Sequence, residues 1–156
     1  MKNIMLPILY FVCALCFLAP FSDAQAQSSS IPDKFVKAAM KEMRPYLAKM
    51  KISKTEVIGK ETREELSDPL LTLDEAREAL SYGIVSGIAK SCRIDWKENN
   101  YKPFMIAQKK AGKTPKQLAY IRLLHKYTFK LTGAIYKDRR CNKESKQHTR
   151  SRFYKE

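Results

Sequence analysis

"TPKQLAYIRLLHKYTFKLTGAIYK", residues 114–137, decides the fold class. Thr114 opens it as a capping residue, Pro115 takes the first helical position, and Gln117 at the third can reach back to the cap. Beyond Pro115 apolar side chains cover most of a helix circumference. Arg122, Lys126, Lys130 and Lys137 line up as its one wet, basic face. The spacing predicts a helix from Pro115 to about Lys137.

The segments upstream follow the same grammar. Gly112 stops a helix that passes through Phe104, Met105 and Ile106 towards Ala111. Asp95-x-x-Glu98 opens that helix, unless Pro103 makes it start afresh at Lys102. Thr72-Leu73-Asp74-Glu75 is a capping box with acidic groups at the positive helix end, and predicts a helix from Leu73 to about Ser91. Its stripe Ala76, Leu80, Gly83, Gly87 is mostly small, as a close contact between two helices requires. Gly83-x-x-x-Gly87 also occurs in membrane dimers, but this stretch is too short and too charged at its flanks to span a bilayer. Further upstream, Asp33 is placed to cap a helix carrying Val36, Met40, Met43, Leu47 and Met50, kinked or split at Pro45. Lys51 to Asp68 reads as a weak helix or mobile connector, with Ser53-Lys54-Thr55-Glu56 resembling a capping box. No stretch reads as a strand. The expected fold is all-α: one small bundle of four to five helices over residues 33–137, followed by a basic, largely flexible tail at 138–156.

The start of the chain sets the compartment. Lys2 precedes an uncharged apolar run from Ile4 to Phe21, and Ala24-Gln25-Ala26 has the small-x-small form of a signal-peptidase site. An uncleaved anchor is the competing reading, since about 18 to 20 apolar residues cross a bilayer. Pro7, Pro20 and the adjoining cleavage site favour removal of residues 1–26, which leaves a polar, disordered leader at 27–32 and a periplasmic or secreted protein. Cys13 and Cys16 depart with the signal. Cys92 and Cys141 remain, and in an oxidising compartment two cysteines pair. Three helices running up, down and up bring both to one end of the bundle, so they are expected to form a disulfide. A zinc site of Cys92, Cys141, His125 and His148 has no close ligand pair to support it. No metal or cofactor is expected.

The formal net charge is +14. Arg139, Arg140, Lys143, Lys146, Arg150 and Arg152 concentrate the excess behind the last helix, with Phe153 and Tyr154 near the end. Such a surface attracts anions: lipid headgroups, lipopolysaccharide phosphates or acidic protein. Alternating aromatic and basic residues of an RNA-binding motif are absent, and export argues against routine contact with nucleic acid.

Chemistry-bearing residues are few. Asp95 is most simply a helix cap, Trp96 a cover for the disulfide, and Tyr101 its neighbour in the same layer. His125, on the shoulder of the long helix beside Leu118, Phe129 and Thr132, is a boundary histidine or a general base. No serine or cysteine nucleophile is tied to it by spacing. No catalytic residue is assigned.

The pattern Cys92-x-x-Asp95-Trp96, then Tyr101-x-Pro103-Phe104-Met105, then Gln117-Leu118-Ala119-Tyr120-Ile121 with Leu124-His125, resembles small exported helical proteins of alphaproteobacteria. Those carry a Cys-Gly-Leu-Asp-Trp stretch and a later Leu-His-Gly, and end near a second cysteine. The resemblance covers about residues 90–141 and implies fold and compartment without an activity. It implies glycine where this chain has Arg93 and Lys126, and the latter departure weakens the idea of a bare backbone beside His125 that receives a ligand. The function expected is binding of an anionic envelope component through basic surface. The alternatives are a small enzyme using His125 and Asp95, or a bundle holding an apolar ligand.

Overall fold

The computed structural model describes residues 31–51, 57–136 and 141–153. Among these are six α-helices and no strand. The segment read as a signal and most of its polar leader lie outside the described residues, as does the capping box at 53–56. No helix among the described residues is long and apolar enough to cross a membrane.

Helix α1 (Asp33–Met43) gives way to a 3-10 turn over Arg44–Lys49, with Pro45 near its start. Proline lacks the N–H that would extend the α-helical ladder, so the helix splits where the sequence places it. Asp33 does not act as the cap. It sits inside the first turn, after Pro32, and its carboxylate pairs with Arg77 across the bundle. Lys51 and Val57 form an isolated antiparallel bridge. Helix α2 (Arg63–Ser67) follows, opened by a Thr62–Glu65 capping box. This connector is pinned by Arg44, whose guanidinium donates to the Glu61 carboxylate at 3.0 and 3.3 Å and to the carbonyls of Glu65 and Asp68 at 2.6 and 3.1 Å.

Helix α3 (Leu73–Ser91) starts at the expected Thr72–Glu75 box. At its end Arg93 N donates to Lys90 O and Ile94 N to Ala89 O, with Arg93 at φ 55°. That is a Schellman stop with arginine in the left-handed position usually held by glycine. Asp95 Oδ1 then accepts from the backbone N–H groups of Lys97 and Glu98. A π turn over Lys97–Tyr101 leads into α4 (Lys102–Lys110). Both sequence readings of this region therefore hold in part: Asp95 opens a turn, and Pro103 forces its wider form before the α-helix begins at Lys102. Gly112, at φ 80°, ends α4. Helix α5 (Pro115–Ile135) starts with the Thr114–Gln117 box.

The most extensive contact between elements is that of α3 with α5. Glycine is required there. A Cβ at Gly83 would overlap the Thr128 hydroxyl and the His125 carbonyl oxygen, and one at Gly87 would lie 2.7 Å from Thr132 Cβ. Around this seam Val36, Leu47, Leu71, Leu80, Tyr120, Ile121 and Leu124 form the buried core. Tyr120 spends its hydroxyl on Met40 O at 2.6 Å, which locks α1 to α5.

Cys92 and Cys141 are joined, with an S–S distance of 2.02 Å. Within the segment expected to be a largely flexible tail, Lys143–Phe153 forms α6, which contacts α3, and Thr149 is buried. The disulfide tethers the start of this segment next to the end of α3, so ordering it costs less chain entropy than for a free tail.

Candidate functional site

Two features of the bundle bear on function, one buried and one on the surface. The buried one centres on His125, which is 3% exposed. Its Nε2 lies 2.9 Å from Ser86 Oγ. Asn100 Nδ2 donates to the same hydroxyl at 2.8 Å and to Tyr82 O at 2.9 Å. Asn100 fills one of the two lone pairs of the hydroxyl oxygen, so the Ser86–His125 contact is made either by the hydroxyl donating to Nε2 or by Nε2–H donating to the second lone pair, according to the imidazole tautomer. Trp96, Tyr101 and Phe129 enclose the ring, with centroids at 6.2, 4.7 and 6.2 Å. Burial without a countercharge pushes the imidazole pKa down to about 4.

A serine hydroxyl within reach of an imidazole is the arrangement that activates a nucleophile. Here it is closed to substrate. Ser86 is fully buried, the aromatic lid leaves no approach to the histidine, and a base with so low a pKa is weak near neutrality. The third group, Asn100, touches the serine and does not orient the imidazole. Asp95 does not join His125 either: it is exposed, and its carboxylate is occupied at the start of the π turn. Trp96 sits 4.4 Å from Phe129 and 6.0 Å from Tyr101, so its ring contacts belong to the histidine lid. With both cysteines in the disulfide, neither is available as a thiolate ligand. The cluster does what a satisfied polar core does: it fixes the register of α3, α5 and the π turn.

The surface feature is the outward side of α5. Lys126 and Lys130 are exposed there, as the sequence predicts, and Lys137 lies outside the described residues. Leu131, 42% exposed, borders the same surface, whereas Ile135, 54% exposed, lies half a turn round the helix from Lys126. Together with Met43, Leu123, Tyr127 and the exposed Tyr46, the two lysines line a groove of about 500 Å³ between α5 and the end of α1. One carboxylate borders it, that of Glu42, which accepts from the Tyr127 hydroxyl at 3.2 Å.

Arg122 leaves the wet face it was assigned to. It is half-buried, and its Nε is shielded from solvent with no hydrogen-bond partner. A one-turn offset along a nearly all-round apolar helix rotates a side chain by about 40°, enough to put Arg122 over α4. Of the tail cations, Lys143, Lys146 and Arg150 are exposed on α6 and Arg152 falls in its last turn. Arg139 and Arg140 lie outside the described residues. Sequence reasoning missed Ser86 and Asn100, two polar residues on core faces whose only signal was their interruption of apolar periodicity.

Comparison with protein-family models, curated proteins and solved structures finds no match to this chain.

Proposed function

We propose that this protein is an exported interaction module that docks on an anionic lipid surface through the outward side of α5. One observation carries the reading: Lys126 and Lys130 line one groove with the exposed Leu131 on the same helix, facing the exposed Tyr46 across it. Cations interleaved with exposed apolar groups suit a headgroup layer, where phosphates meet the lysines and the apolar tips enter the acyl boundary. The basic α6, with Lys143, Lys146 and Arg150, adds attraction at longer range.

The test is co-sedimentation of the chain beginning at Gln27 with vesicles of anionic or of neutral phospholipid. Binding to anionic vesicles is expected, weakening as salt rises because the attraction is screened beyond about 8 Å at physiological ionic strength. At about 1 kcal/mol per cation, Lys126→Gln with Lys130→Gln lowers affinity on the order of thirtyfold. Leu131→Ser is expected to weaken it further. Equal binding to neutral vesicles, or no effect of these variants, refutes the reading.

A further inference from the structure

On the other flank of α5 a second groove, about 350 Å³, runs between α4 and α5. Its apolar floor is Met105, Ile106 and Leu118, with Ile106 55% exposed. Lys102, Lys109 and Arg122 stand around it, and Tyr101 closes one end. Glu98 neutralises Lys102 through an ion pair one turn away. Lys109 and Arg122 therefore leave the groove with two positive charges over a hydrocarbon floor.

Arg122 carries the strongest argument. A guanidinium N–H shielded from water and lacking an acceptor forfeits the hydrogen bond it would make in solvent. Nε of Arg122 is the one buried side-chain polar atom without a partner among the described residues. Its charge is felt by Tyr101: burial raises the phenol pKa, and Arg122 opposes that rise. The groove thus has two unmet needs side by side, an acceptor for the shielded Nε–H of a half-buried cation and a cover for an exposed aliphatic floor.

We infer that the α4–α5 groove binds a medium-chain carboxylate, with the alkyl chain along Met105, Ile106 and Leu118 and the carboxylate on Arg122. The planar fork of Arg122 suits two parallel bonds to a carboxylate, one from Nε and one from a terminal nitrogen. Because Arg122 is half-buried, the carboxylate meets the open edge of the guanidinium and draws Nε towards the groove. Lys109 lies within the same rim and adds charge without geometry. A volume of this size lies at the small end of ligand pockets, which favours a single chain over a two-chain lipid. The site lies apart from Lys126 and Lys130 and stands whether or not those lysines engage vesicles.

The experiment is a titration of the chain beginning at Gln27 with decanoate below its micellar concentration. Calorimetry gives the stoichiometry, and the single tryptophan supplies an optical signal, since Trp96 contacts Tyr101 at the groove end. The expected result is one decanoate per protein, with decanol and acetate each bound at least tenfold more weakly. Arg122→Gln should weaken decanoate tenfold or more, Arg122→Lys by an intermediate factor, and Lys126→Gln by less than twofold. If Arg122→Gln fails to fold, Lys109→Gln, at an exposed position, should still weaken decanoate severalfold. Four results overturn the inference: no saturable binding of decanoate, decanol binding as tightly, acetate binding as tightly, or sensitivity to Lys126→Gln in place of Arg122→Gln.

Discussion

Gly83→Ala adds a single methyl group at the tightest point between α3 and α5, and its effect can be worked from the geometry. The new Cβ would overlap the Thr128 hydroxyl and the backbone carbonyl of His125, whose carbonyl carbon would lie 3.0 Å away. A side chain can yield, but the carbonyl belongs to a helical ladder, so α3 and α5 must separate by about 1 Å to restore ordinary contact. Overpacking of this kind costs about 1–3 kcal/mol. The displaced Thr128 hydroxyl also loses its buried hydrogen bond to Leu80 O, now 2.8 Å, which costs about 1–2 kcal/mol more. Against this, alanine is favoured over glycine inside a helix by about 0.8–1.0 kcal/mol. The net expectation is destabilisation by about 3 kcal/mol. Gly133→Ala supplies the control, because a Cβ there meets nothing within 4 Å and should stabilise by about 0.5–1 kcal/mol. Urea unfolding followed by far-ultraviolet circular dichroism reads both as midpoint shifts at constant slope. A Gly83→Ala protein as stable as the parent, or two substitutions shifting the midpoint in the same direction, refutes the close-packed seam.

Three further expectations concern stability. Arg93→Gly relieves a left-handed residue at the stop of α3, so it should raise the unfolding free energy by about 1 kcal/mol, read by the same urea titration. Replacing Cys92 and Cys141 together by serine opens a loop with a sequence separation of 49 and should lower stability by about 4 kcal/mol on chain-entropy grounds; the parent chain beginning at Gln27, which has no other cysteine, should show no mass increase when alkylated without reduction. His125 has a folded pKa of about 4, below its ordinary 6.5, so the fold favours the neutral ring. That contribution is complete above pH 6.5 and is lost as pH falls towards 4; unfolding titrations across this window should show the parent losing about 3 kcal/mol more than His125→Gln.

What was legible in the sequence was local. Thr72 with Glu75, Thr114 with Gln117, and Gly112 announce helix ends because each cap is completed within four residues of itself. The cysteine pair was also legible, since alternating helices constrain which ends meet. Misread features depend on partners far along the chain. Asp33 looked like a cap and became the partner of Arg77, 44 positions away. The connector, read as a weak helix or a mobile connector, holds the short α2, and what pins it was hidden because Arg44 precedes it by 17 to 24 positions. Ser86 and Asn100 meet His125 only once α3, α5 and the π turn are assembled. Helix α6 has no apolar stripe to betray it, since its ordering comes from its tether at Cys141 and from contact with α3.

The two sides of α5 explain each other. Its inward side meets α3 through Gly83 and Gly87 and closes over the Ser86–His125–Asn100 cluster, so polar groups there are satisfied and shielded. A helix held this tightly loses little freedom when something binds its outer side, and preorganisation of that kind is where binding affinity is conserved. Leu131 remains exposed at the border of that outer side although the same helix buries Leu124 and Ile121 two to three turns earlier. Packing left this aliphatic side chain uncovered in the groove that Lys126 and Lys130 line. Disrupting the inner cluster by His125→Gln should therefore lower stability while leaving vesicle binding by the folded fraction intact, whereas changing Lys126 and Lys130 should do the reverse.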